Sequence, residues 1–137
     1  MKAVSRGIIA VLLTGIWVNL SEFFRNEVLL KSYWVEHYRS LGMNFPSEPM
    51  NGMLWIAWGL LFSLAIYAVS RRFDFVRTAI ICWFTAFVLM WLVAYNLSVL
   101  PLGILVYAVP LSLLEAFVGA YISVKISPSE LTVKTGG

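Results

Sequence analysis

Polar residues in this chain cluster between long apolar runs, and the spacing of those runs predicts helices rather than strands. Met50 to Ser70 carries no charged side chain and is long enough for one helix, given that about 20 apolar residues cross a hydrocarbon core. Thr78 to Leu114 is also charge-free but too long for a single crossing, and Asn96, Ser98, Pro101 and Gly103 place turn chemistry in its middle. Gly7 to Leu20 is shorter, and its helix is expected to continue through Ser21, Glu22 and Phe24 to an interface. The pattern therefore predicts an all-α membrane protein, a four-transmembrane-helix bundle with spans near 6–27, 49–70, 77–99 and 102–125. These form one domain over 1–126, followed by a short tail at 127–137.

The one sizeable connection lies between the first two spans. Leu30, Tyr33, Trp34, His37, Tyr38 and Leu41 recur at helical spacing, with Lys31, Glu36, Arg39 and Ser40 largely on the opposite face. This predicts an amphipathic interfacial helix near 28–41, with Trp34, Glu36, His37 and Tyr38 as the interfacial residues. Gly42 ends it, and Pro46, Ser47 and Pro49 lead into the second span. Glu27 stands four residues before Lys31, the favourable order for a helix ion pair. His37 beside Glu36 fits an interfacial anchor better than a proton relay.

Within the spans, polar and small residues fall on stripes that are expected to face other helices, because lipid gives apolar surfaces no reason to hide. Gly15, Asn19, Glu22 and Asn26 follow one stripe of the first span. Gly52, Gly59, Ser63 and Tyr67 form a mostly small face of the second, and Thr78, Cys82, Thr85, Leu89 and Asn96 are expected to share a face of the third. In the fourth span Ser112, Glu115, Gly119 and Ile122 line up, with Ala116, Ala120 and Ser123 beside them. Glu115 is the strongest candidate functional residue. A carboxyl group at bilayer depth costs about 3 kcal/mol on insertion scales and normally has a partner. Pro110, five residues earlier, removes an amide donor and is expected to kink the helix near Val106. Two roles stay open for Glu115: a neutral acid bonded to a neighbouring carbonyl, Asn, Ser or Tyr, or a binding group for a proton, ion or ligand.

Composition agrees with a membrane protein: 61% of residues are hydrophobic and 12% charged. The net charge of +3 calls for no nucleic acid. Cys82 is the only cysteine, so an intrachain disulfide, a CxxC pair and a thiolate zinc cluster are all ruled out. Lys2, Arg6, Arg71, Arg72, Arg77, Lys125 and Lys134 would share one side and Arg25, Lys31 and Arg39 the other. By the positive-inside bias both termini are then cytoplasmic. Trp17-Val18-Asn19-Leu20 closes the first apolar core without a small-residue cleavage pattern, so this segment is expected to remain as a span.

The segments G-I-W-V-N-L-S-E-F-F at 15–24, S-Y-W-V-E-H-Y-R-S-L-G at 32–42, A-I-Y-A-V-S-R-R-F at 65–73 and S-L-L-E-A-F-V-G-A-Y at 112–121 resemble a group of small bacterial four-span membrane proteins of unknown function. The resemblance implies a location in the inner membrane and offers no activity. Trp17 to Ser21 and Tyr95 to Ser98 also echo one another at the ends of the first and third spans, a weak sign of duplication on which no mechanism rests.

Three function classes follow. The leading expectation is a structural or accessory subunit that packs with itself, as a homo-oligomer, or with a larger membrane-protein complex, surrounded by membrane lipid. The alternative is a binder or conductor of a small solute, proton or lipid, with Glu115, Asn19, Glu22, Asn26 and Asn96 as its intramembrane polar residues. A membrane enzyme ranks third: no nucleophile, metal triad, cofactor motif or phosphate-binding loop is present, and no catalytic or metal-ligating residue is assigned.

Overall fold

The computed structural model describes residues 2–129. Lys134 and the tail expected beyond residue 129 lie outside the described residues. Helix α1 runs Ala3–Phe23 and passes directly into a π-helical stretch, Phe24–Leu29. A short helix α2 follows at Lys31–Ser40, then α3 at Pro49–Ser70. The third long helix has three parts: α4 at Phe75–Trp83, a π-helical stretch at Phe84–Val88, and α5 at Leu89–Asn96. One 3-10 turn at Leu102–Ile104 opens α6, Leu105–Ile126, which continues through Pro110. No strand occurs among the described residues. Four continuous helical segments, Ala3–Leu29, Pro49–Ser70, Phe75–Asn96 and Leu102–Ile126, are long and apolar enough to cross a membrane.

Local chemistry explains where these helices begin and end. Pro49 opens α3 where its missing N–H costs nothing, and the Asn51 side chain accepts a hydrogen bond from the Glu48 N–H at 2.9 Å. Asp74 caps α4 by accepting from the Arg77 N–H at 3.0 Å. Gly42, at φ +72°, lets the chain reverse after α2 while the Met43 N–H bonds the Tyr38 carbonyl at 2.9 Å. Helix α2 begins at Lys31 rather than near 28, because residues up to Leu29 complete the π stretch of the first span.

Helix α6 packs against α1, α3 and α4, and α1 also packs along α3. Of the small face foreseen on α3, Gly59, Ser63 and Tyr67 meet α1, whereas Gly52 is exposed with open space beside it. A Cβ on Gly59 would lie 2.6 Å from the Asn19 amide, one on Gly15 would lie 3.2 Å from the Ser63 hydroxyl, and one on Gly7 would lie 2.6 Å from the Tyr67 hydroxyl. On α6, a Cβ on Gly119 would lie 3.1 Å from Ile66 and 3.4 Å from Thr14. Where side chains are this small, backbones approach and dispersion contacts replace the missing hydrophobic drive. At the same end Arg71 donates to the Pro128 carbonyl at 3.1 Å and Ser70 shares a hydrogen bond with Ser123.

The third helix corrects one expectation. Thr78 and Cys82 are buried, but Thr85, Leu89 and Asn96 are exposed, and Phe87 faces inward instead. The α periodicity fails because the π stretch at Phe84–Val88 takes more residues per turn and rotates every later side chain to a new face. Helix α5 consequently contributes no fully buried residue.

Candidate functional site

Glu115 is fully buried, and its partner is a cation that the charge count had set on the outer side, near the end of the first span. Arg25 donates from Nη1 to Glu115 Oε2 at 3.0 Å, and the Ser21 hydroxyl donates to the same oxygen at 2.8 Å. From its other terminal nitrogen Arg25 donates to Glu22 Oε1. The Glu22 carboxylate also accepts from the Asn26 amide at 2.9 Å through Oε2. Arg25 is 4% exposed and Glu22 5%, so the whole group is withdrawn from solvent. The guanidinium lies 5.0 Å from the centre of the Phe87 ring, a cation–π contact strengthened by desolvation. Trp17 donates its indole N–H to the Glu115 carbonyl at 3.0 Å, which fixes this turn of α6 against α1.

Backbone irregularity brings these groups together. Glu22 and Arg25 are three residues apart, one turn on the same side of a helix. Arg25 lies within the first π stretch, where the Leu30 N–H reaches back five residues to the Arg25 carbonyl at 2.9 Å. Phe87, beneath the guanidinium, lies within the second. Single π turns in long helices are frequent at functional sites, and here two face one another across one buried charge.

Beside the group opens a cleft of about 460 Å³. Glu22, Arg25 and Asn26 form its polar floor, and Trp34, Tyr38, Phe45, Trp55, Trp58 and Trp91 its walls. Four of the six tryptophans in the chain therefore line it. Trp58 meets Phe62 and Phe87 edge or tilted, at 5.2 and 5.8 Å, and Phe87 meets Trp91 at 6.0 Å, so the aromatic surface is continuous with the core. Of the cleft's apolar lining, Leu54 and Trp55 on α3 and Met90 on α5 are exposed on the outside of the helices.

The remaining candidates divide. Asn19 packs on Gly59 and donates to the Gly15 carbonyl at 2.9 Å, which makes it an α1–α3 contact rather than part of the charged group. Asn96 is exposed at the end of α5 and is not among the cleft residues. On α2, Trp34 and Tyr38 face the cleft and stack on Phe45, at 6.4 and 5.4 Å. His37 Nε2 lies 2.9 Å from the Ser98 carbonyl and ties α2 to the turn after α5, whereas Glu36 is exposed. Among the described residues no three His, Cys, Asp or Glu side chains gather into a group able to hold a metal ion. Sequence reasoning missed Arg25, Ser21 and the tryptophan walls. The three-residue spacing of Glu22 and Arg25 was the available signal for the first of these.

Comparison with protein-family models, with curated proteins and with solved structures gives no match to this chain. The functional reading accordingly rests on the geometry of the cleft and its floor.

Proposed function

We propose that this chain is a multi-pass protein of a bacterial inner membrane that binds a lipid or other amphiphilic small molecule in the aromatic cleft. In this reading residues 2–126 form one four-helix transmembrane bundle, α2 lies at the outer interface, and both termini are cytoplasmic. Burial of Arg25 sharpens the charge bias behind that orientation. Lys2, Arg6, Arg71, Arg72, Arg77 and Lys125 stand against only Lys31 and Arg39. Cysteines placed at Lys2 and Ser40, in a Cys82→Ala background, should label from opposite sides, Ser40 from outside.

The observation that carries the binding role is the cleft itself, with apolar aromatic walls and a few converging polar groups at one end, the usual form of a small-molecule site. Its mouth lies between exposed apolar residues of two long helices, so an amphiphile would enter sideways from the lipid with its chain along the tryptophans. The test is a filled cleft. Ala94, partly buried in the wall, changed to Phe should abolish saturable binding of short-chain amphiphiles to the purified protein while the fold survives. Unchanged saturable binding by Ala94→Phe would overturn the reading.

An accessory role in a homo-oligomer or a larger membrane complex is the second reading, favoured by how little of the chain lies outside the four long helices. The small faces of α1, α3 and α6 are used within the chain, so a partner would have to meet the exposed aliphatic surfaces instead.

A further inference from the structure

The floor of the cleft and the buried layer behind it hold two acids and one base. Glu22 and Glu115 both bond Arg25, one at each terminal nitrogen of the guanidinium. With all three ionised the group carries one uncompensated negative charge, which a buried site cannot hold cheaply. Glu115 Oε1 is buried and has no hydrogen-bond donor among the described residues. One positive charge delivered beside Glu22, the acid of the pair that lines the cleft, would restore the charge balance. In its simplest form that charge is a proton held by one of the two carboxyl groups.

The surroundings offer no other base for the task. From α1 and the π stretch that follows it, Glu22, Arg25 and Glu27 face the cleft, and Glu27 is paired at 2.6 Å with the exposed Lys31. Helix α2 contributes the Tyr38 hydroxyl, α3 the Asn51 amide and α5 no charged group, while α6 lines the cleft with Ala108 and holds Glu115 fully buried behind Arg25. Glu48 and His37 are not among the cleft residues, and His37 bonds Ser98. Among the described residues no further cation faces the acid pair, so a second one would come from the cleft. Its walls suit one, because tryptophan faces attract ammonium groups.

Resting on the amphiphile-binding reading above, we infer that the cleft takes an amphiphile with an ammonium headgroup, whose positive charge replaces the proton held by Glu22 or Glu115. Binding and proton release are then linked. Below the range in which the pair loses its proton, the cation competes with that proton, so affinity rises as pH rises, by up to about tenfold per pH unit for a one-proton exchange. Above that range the dependence disappears.

The experiment uses the full chain in maltoside micelles and three eight-carbon probes: octyltrimethylammonium, octanoate and octanol. Calorimetry in two buffers of different ionisation enthalpy, at intervals from about pH 5 to about pH 9, counts protons as each probe binds. Octyltrimethylammonium should bind saturably and at least about tenfold tighter than either comparator, and should release close to one proton at the acidic end. Glu22→Gln and, independently, Glu115→Gln make the group neutral without a proton. Each should weaken ammonium binding and remove its pH dependence while the melting temperature stays near that of the parent. Octanoate or octanol binding as tightly as the ammonium probe, or ammonium binding with no proton released at any pH, would overturn the exchange and leave the amphiphile site standing. Absence of saturable binding by all three probes would overturn both readings.

Discussion

The two halves of the long helices are held together by different means. At the Arg71 end, α1, α3 and α6 are regular and meet through Gly7, Gly15, Gly59 and Gly119, with single hydroxyl bonds such as Ser70 to Ser123 between them. At the α2 end the helices contain two π stretches and a proline, and they enclose an ion group, a cluster of tryptophans and a cleft. Close approach leaves no room for a ligand. Irregular backbone, by contrast, turns side chains off the regular stripe and keeps helices apart, so the half with poorer regularity is the half that can bind something. The difference shows what each half needs to stay folded: one depends on the absence of side-chain volume, the other on charge balance.

The largest expected effect breaks the second half. Arg25→Leu leaves Glu22 and Glu115 buried without their cation and should destabilise the protein by about 3–5 kcal/mol, the usual consequence of removing one side of a buried ion group. Thermal unfolding in detergent reads it, and restoration of stability by adding Glu115→Gln to Arg25→Leu would identify charge as the cause. A loss no greater than that of a surface arginine such as Arg72→Leu would mean that the group is hydrated.

A smaller effect is expected from the first half. Gly59→Val places methyl groups where the Asn19 amide now packs, and overpacking of this kind costs about 1–3 kcal/mol. Gly52, with nothing within 4 Å of an added Cβ, is the control on the same helix, and Gly52→Val should cost less. Equal losses at the two glycines would attribute the effect to helix propensity rather than to close packing.

The smallest expected effect is that of Glu115→Gln, at under about 1 kcal/mol. Gln keeps the acceptor for Ser21 and Arg25 and removes only the ionisable proton. A collapse of stability as large as that of Arg25→Leu would mean that both carboxylates must be ionised to hold Arg25, and the two-acid charge count would fail.

Much of this architecture was legible in the order of residues. Charge-free length determined the four long helices, because a backbone in hydrocarbon must satisfy its own hydrogen bonds and therefore coils. Turn chemistry at Gly42, Ser98 and Pro101 determined where they reverse, and the glycines and serines on α1, α3 and α6 determined which faces could approach. The intramembrane acid announced its need for a partner in the same way. Tertiary structure alone decided who that partner is. Arg25 looked like an interfacial cation because it stands near the end of an apolar run, and only the fold brings Glu115, ninety residues away, beside it. Tertiary packing likewise decided the faces of the third helix and the walls of the cleft. A helical stripe extrapolated at 3.6 residues per turn cannot foresee a π turn, whose five-residue hydrogen bonds persist only where neighbouring helices gain enough contact to hold them.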